Sequence, residues 1–220
     1  MLRGTRIMMG AQAAAYSRTL EILRRTCLAR GYQEVILPSL WETETWTQRA
    51  GAEIEGQMWA FKDKGGRDVT LIPEATAMIQ QMYREKWSKE LPKPIRLFYA
   101  QRCYRYERPQ EGRYREFTQF GLEILAPEPE KYEEDARYML EGCLNESGVR
   151  CELDWEAVRG LSYYTRKGFE ARCWELGAQQ QIAGGGTYPE GCGWAIGVDR
   201  LLLALEKQQA KLEVAELAGA

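Results

Sequence analysis

The chain has 220 residues, 45% apolar and 28% charged, an ordinary globular composition with enough length to bury a core without disulfide or metal staples. Thirty basic and 32 acidic side chains leave a net charge of −2, which excludes a protein-wide basic field but not a local basic patch. Histidine is absent, which excludes imidazole metal ligands, Ser-His-Asp and Cys-His catalysis, and a histidine pH switch.

Residues 1–10 read MLRGTRIMMG and hold no apolar stretch of the kind a signal peptide needs. Residues 11–30 predict an amphipathic helix, with Tyr16, Leu20, Leu23 and Cys27 on one face and Gly31 ending it. A short strand is expected over 32–37, stopped by Pro38, and a helix over 41–53. Residues 58–61 and 68–72 flank Lys64-Gly65-Gly66-Arg67 and predict a hairpin. A helix runs from Pro73 to about residue 89, and Pro92 and Pro94 break the chain. Strands are expected over 95–107 and 116–125, then a helix over 131–146. Further strands follow over 150–154, 168–174, 179–183 and 193–198, and a last helix starts near Asp199. The order predicts an α+β fold, an antiparallel sheet flanked by helices, as one domain over 1–207 with a tail over 208–220.

None of the six cysteines, at 27, 103, 143, 151, 173 and 192, forms a C-x-x-C pair. No metal site is expected, and the thiols read as reduced and buried in a cytoplasmic protein. The longest aliphatic run, 201–205, is far short of a membrane span, so no membrane partner is expected.

Four segments carry possible chemistry. Arg105, Arg108, Arg113 and Arg115 lie within eleven residues, and guanidinium forks suit phosphate; a solvated charged turn is the alternative. On the strand after them, Gln119, Gly121 and Glu123 share one face, while Thr118, Phe120, Leu122 and Ile124 take the other. The polar face is either solvent-facing or a ligand floor on which something flat lies close to Gly121. Arg200 falls in the first turn of a helix, where the macrodipole disfavours a cation and an anion would be welcome. Tyr163 and Tyr164 should point to opposite faces of an extended segment, one to core and one to cleft. Gly184-Gly185-Gly186 is either a flexible loop or a close approach to a ligand, and not a P-loop.

Together these segments resemble the catalytic core of histidyl-tRNA synthetases, a class II aminoacyl-tRNA synthetase family. Residues 105–117, reading RYERPQEGRYREF, look like motif 2 and run on into Gln119-Phe120-Gly121-Leu122-Glu123. Residues 73–77, PEATA, are similar to the amino-acid-binding PEGTA segment; residues 159–164 resemble RGLDYY; residues 184–188 resemble GGGRY; and residues 195–201 resemble motif 3. The resemblance implies a homodimer through about 11–40, with ATP and Mg²⁺ as cofactors and an amino acid, histidine first, as substrate. It implies that Arg105 holds the α-phosphate, that Arg115 and Arg200 clamp the outer phosphates, that Arg113 also binds ATP, and that Glu107 places the adenine or the metal. Arg159 resembles a second catalytic arginine beside Arg105 and Arg200. Glu74, Thr76 and Gln119 would hold the α-amino end, and Glu123, Tyr164 and Tyr188 would read an imidazole.

The chain departs from the family at five points. About a dozen residues join the helix near 146 to RGL, so the family's insertion is not expected there, and an anticodon-binding domain after motif 3 is not expected. Thr118 stands where histidine is common, Ser162 replaces the aspartate of RGLDYY, and Thr187 replaces the arginine of GGGRY, with Pro189 and Glu190 after it. Three readings follow. The first is a synthetase-like ligase passing an aminoacyl group to tRNA or another acceptor. The second is a non-catalytic histidine-binding subunit resembling that of ATP phosphoribosyltransferase, favoured by Arg115-Glu116-Phe117-Thr118-Gln119. The third is a paralogue acting on a carrier protein, small molecule or modified RNA.

Overall fold

The computed structural model describes residues 1–48, 51–158 and 160–218. Seven strands form the main sheet: β1 (Gln33–Glu34), β5 (Ile95–Tyr104), β6 (Glu116–Leu125), β7 (Glu152–Ala157), β8 (Gly168–Arg172), β9 (Gln181–Tyr188) and β10 (Gly191–Gly197). Their order is β1-β5-β6-β10-β9-β8-β7, and only the β1–β5 pair is parallel. A small antiparallel sheet, β2-β4-β3, is built from β2 (Leu40–Glu42), β3 (Trp59–Lys62) and β4 (Asp68–Leu71). Helices α1 (Gly10–Leu28), α6 (Glu133–Ser147) and α7 (Val198–Ala218) cover one face of the main sheet. The expected α+β arrangement is therefore present.

Strand parity explains the two faces. Phe98 of β5 and Phe120, Leu122 and Ile124 of β6 point to the helices and meet Leu23, Cys27, Leu140, Cys143 and Leu201. Burying each large apolar side chain there contributes about 1.5–3 kcal/mol. The opposite face carries Leu97, Tyr99, Leu125 and Tyr188, and is covered by Ala75, Ile79, Tyr83 and Tyr163. That cover comes largely from α4 (Thr76–Met82), which continues through a π turn, Tyr83–Trp87, into α5 (Ser88–Glu90). The polar face of β6 is thus not a solvent face, since Glu123 has no exposed surface.

Three expectations need correction. The helix over 41–53 is instead β2, a one-turn helix α2 (Glu44–Thr47) and another, α3 (Ala52–Glu55), with residues 49–50 outside the described ones. Trp41 and Thr45 have helical spacing, yet they meet through a shared acceptor, donating to Gln81 Oε1 at 3.0 and 2.6 Å. Secondly, Gly184-Gly185-Gly186 is neither loop nor ligand cradle at its last two positions but the middle of β9. The space a side chain would take at Gly185 belongs to Trp194, Phe169 and the Gly193 carbonyl, and at Gly186 to Tyr164. Thirdly, the flat object over Gly121 is the chain's own Tyr99, its cross-strand partner on β5, whose ring fills the space a Cβ would take. The last helix runs through residue 208 without a break, and Gln208 is buried, bonding both backbone polar groups of Arg150.

Gly121→Ala therefore drives a methyl into a fully buried aromatic ring. We expect a loss of roughly 1–3 kcal/mol or more, the cost of overpacking a closed site. Urea unfolding should show a lower midpoint with an unchanged slope.

Candidate active site

The loop between β5 and β6 is closed by its own backbone. Arg105 N–H donates to the Arg115 carbonyl at 2.9 Å, and Gln110 and Arg113 exchange hydrogen bonds of 3.2 and 2.9 Å. Arg105 leaves this loop with its Nε on the Pro73 carbonyl at 2.9 Å and its guanidinium over the Phe117 ring. Arg113 is ion-paired with Glu107. Arg200 projects from the first turn of α7 and donates to three neutral oxygens: Gly112 O at 3.0 Å, Gln181 O at 2.9 Å and Gln179 Oε1 at 3.1 Å. Burial, and then the charges of Arg113 and Arg105, hold its pKa below the ordinary guanidinium value. Three guanidinium groups thus converge on one end of a cleft of about 320 Å³.

The other end is acidic and aromatic. Glu74 is nearly fully buried just before α4, and its carboxylate accepts the N–H groups of Thr76 (2.8 Å) and Ala77 (3.1 Å) and Trp46 Nε1 (2.7 Å). It satisfies the first two N–H groups of the helix from the position before the N-cap, Ala75. Burial raises its pKa against the opposing pull of these donors and of Arg105. Thr76, Gln119, Tyr163 and Tyr164 line the cleft with it. Tyr163 and Tyr164 do not point to opposite faces. A turn, with Tyr164 N–H on the Leu161 carbonyl at 3.4 Å, brings their rings to 4.7 Å.

Behind this wall lies a closed polar cluster. Glu123 sits over Gly193 on the next strand, where a Cβ would collide with its carboxyl group. It accepts hydroxyl hydrogen bonds from Thr76 at 2.7 Å, Tyr188 at 2.6 Å and Tyr99 at 3.4 Å. Burial, and the nearby Glu74 charge, push its pKa up to about 8 despite those three donors.

Of the residues singled out in the sequence, Glu74, Thr76, Arg105, Glu107, Arg113, Gln119, Tyr164 and Arg200 line one cleft. Glu123 and Tyr188 lie one layer behind it, bonded to each other. Arg115 lies off the lining: its Nε donates to the Glu107 carbonyl at 3.0 Å and its guanidinium stacks on Tyr106 at 4.1 Å. Arg159 falls outside the described residues. The sequence reading missed Tyr114, Glu170, Gln179, Gln181 and Asp199 as lining residues. Asp199 has a signal, an acid directly beside the anomalous Arg200; the two glutamines, inside the expected strand over 179–183, have none. Two departures face away from the cleft. Thr118 Oγ1 is 2.7 Å from Tyr16 Oη, and Thr187 donates to Glu133 at 2.6 Å. Ser162 lies beside Gly51 and is not in the lining.

The family model for Histidyl-tRNA synthetase matches residues 4–139. The chain belongs to the histidyl-tRNA synthetase family. It is 30% identical over 311 aligned residues to the histidine–tRNA ligase of Methanoregula boonei, covering 92% of this chain and 74% of that protein. Apo histidyl-tRNA synthetase of S. aureus superposes with a TM-score of 0.79 at 25% identity, over 95% of this chain and 70% of that one. The fold, at 15% identity, is also that of an ATP phosphoribosyltransferase regulatory subunit/histidyl-tRNA synthetase from Bacillus halodurans, with a TM-score of 0.74 over 97% and 88% of the two chains. Among the described residues of this histidyl-tRNA synthetase relative, no helix is long and apolar enough to cross a membrane, and no group of three or more Cys, Asp or Glu is placed to hold a metal ion.

The buried carboxyl group makes stability depend on pH. Glu123 is protonated in the folded chain up to about pH 8, whereas an unfolded glutamate ionises near 4.5. Between those values the unfolded chain releases a proton that the folded chain keeps, so stability falls as pH rises, by up to about 1.4 kcal/mol per pH unit. Glu74, also raised, acts in the same direction. Glu123→Gln removes the Glu123 share. Urea unfolding at pH 5 and pH 8 should show the variant losing less stability over that interval than the parent.

Proposed function

We propose that this chain activates an amino acid with ATP, histidine being the first candidate, and passes the resulting aminoacyl group to tRNA or another acceptor. A carboxylate oxygen of the amino acid attacks the α-phosphorus; the new C–O–P linkage forms as the bond to the outer phosphates breaks, and pyrophosphate leaves. No proton need be moved for that step, so a site without histidine can perform it. What it needs is positive charge held where phosphate charge develops. The observation that carries this reading is the convergence of Arg105, Arg113 and Arg200, the last with only neutral partners among the described residues, in one cleft with Glu74.

In this reading Arg105 holds the α-phosphate, with Arg113 and Arg200 on the outer phosphates. Arg115 acts by bracing Glu107 and the loop, and Arg159 is a further candidate arginine. Mg²⁺ would be held mainly by phosphate oxygens and water, where it would offset phosphate charge, with Glu107, ion-paired with Arg113, and Glu170, bonded to Arg172, as lining carboxylates that could join it. Glu74, with Gln119, receives the substrate ammonium, whose charge relieves the cost of burying an ionised carboxylate. Tyr163, Tyr164 and Thr76 meet the substrate side chain first. Glu123 and Tyr188 reach an imidazole when the Thr76 hydroxyl gives up its bond to Glu123.

Arg105→Ala should slow amino-acid-dependent ATP–pyrophosphate exchange about a hundredfold, the loss typical of one transition-state donor. Exchange at the parent rate rejects the assignment. Histidine titrated calorimetrically should bind the parent more tightly than the Glu123→Gln variant, by roughly 1–3 kcal/mol, and leucine should not compete. The fold shared with the regulatory subunit, and residues 115–119, favour a second reading, a histidine sensor. Histidine binding with no exchange in the parent would select it.

We also propose a homodimer through α1 and the segments on either side of it. Ile36 is 91% exposed and Ile7 and Met9 are each 79% exposed, an apolar surface that a second copy would cover. Sedimentation should give twice the monomer mass at micromolar concentration.

A further inference from the structure

Residues 2–6 cross the outside of the arginine loop before α1 begins. The N–H and hydroxyl of Thr5 both turn back to the Leu2 carbonyl, at 3.2 and 2.7 Å, closing a tight turn. At its centre the Gly4 carbonyl accepts the Arg115 N–H at 2.7 Å. Gly4 has φ +86°, and a Cβ there would meet Arg115 Cγ at 2.8 Å and Pro109 Cγ at 2.9 Å. The turn therefore lies directly on the loop, and only glycine allows both the backbone conformation and the approach.

Two residues on, the Arg6 guanidinium does two things. It forms an ion pair with Asp199 and lies 4.2 Å from the centre of the Tyr114 ring. Asp199 and Tyr114 are both on the cleft wall. The other Asp199 oxygen accepts the Thr118 N–H of β6 at 2.7 Å. Their side chains are only 21% and 7% exposed, so solvent screens the Arg6–Asp199 pair weakly. Arg6 thus ties the segment before α1 to the arginine loop, to the first turn of α7, and through Asp199 to β6. The first turn of α7 carries Arg200, and the loop carries Arg113.

We propose that Arg6 is a positioning residue, and that residues 2–6 are a strap that sets the spacing between the arginine loop and Arg200. Its effect on nucleotide rests on the ATP reading above, but the strap is defined by contacts that exist without nucleotide. Arg6 does not line the cleft and contributes by holding the groups that do.

The test compares the parent with Arg6→Ala, Arg6→Lys and Gly4→Ala. Amide exchange read by mass spectrometry should accelerate over residues 110–118 in Arg6→Ala and Gly4→Ala, with α6 unchanged as the measure of an intact fold. Displacing a phosphate-binding group by about 1 Å costs roughly a hundredfold. Arg6→Ala should accordingly lower kcat/KM for ATP in pyrophosphate exchange by roughly ten- to a hundredfold, with the amino-acid KM little changed. Arg6→Lys keeps the charge opposite Asp199 and loses the planar stack on Tyr114, and should fall between. If α6 also loses protection in Arg6→Ala, Arg6→Lys becomes the deciding variant. Parent-like exchange over 110–118 together with a parent-like ATP dependence overturns the proposal. A parent that neither binds ATP in a calorimetric titration nor exchanges pyrophosphate overturns the nucleotide reading instead, and amide exchange alone then decides the strap.

Discussion

A carboxyl group with no exposed surface lies in the middle of the sheet, and the acidic end of the cleft is built around its need for partners. An isolated ionised carboxylate is prohibitively costly in such a place. Glu123 meets that cost in two ways: it holds its proton through the neutral range, and it is surrounded by hydroxyls from Thr76, Tyr99 and Tyr188. Those three partners stand on α4, β5 and β9. One side chain therefore fixes a helix and two strands relative to β6, and a fourth element, β10, contributes the gap at Gly193 into which the carboxyl group fits. A slip of β6 by one residue would send Glu123 among Leu23 and Leu140 on the helix face.

The two ends of the cleft are coupled by a single segment. The Pro73 carbonyl accepts Arg105 Nε, and the next residue, Glu74, bonds the first two N–H groups of α4 and lines the cleft. The arginine loop is thereby registered to the carboxylate end through one peptide unit. The charges of Arg113 and Arg105 penalise that of Arg200, and among the described residues Arg113 is ion-paired with Glu107 while Arg105 acts on Glu74. A bound polyanion would relieve that repulsion, and this is the physical reason such a cluster favours phosphate over water.

How far the residues announced this arrangement depends on where the signal is local. The parity of Gln119, Gly121 and Glu123 against Phe120, Leu122 and Ile124 is a backbone property, and it was readable from six consecutive letters. What fills the face is not local. That Tyr99 occupies the space over Gly121 follows from the register of β5 on β6, which pairs residues 22 apart in the chain. The strand character of Gly184-Gly185-Gly186 was hidden because glycine has low strand propensity, and the side chains that forbid anything larger, Phe169, Trp194 and Tyr164, come from other segments. Residues 40–47 misled for the opposite reason: their helical spacing is real, but it serves a shared bond to Gln81 across a strand and a turn.

The pleat also explains why departures from the family pattern need not reach the cleft. Thr118 and Gln119 are neighbours in sequence, yet one meets Tyr16 of α1 and the other lines the cleft. Thr187 and Tyr188 divide in the same way, the first to Glu133 at the start of α6 and the second to Glu123. At 118 and 187 the threonine hydroxyl meets a helix residue, Tyr16 of α1 or Glu133 of α6, on the side of the sheet away from the cleft. The cleft-facing residues answer to a different set of neighbours: Pro73 and Glu74, the arginine loop and the first turn of α7. Because alternate residues of one strand belong to separate packing problems, the helix side can change its bonds while the charge arrangement of the cleft is kept.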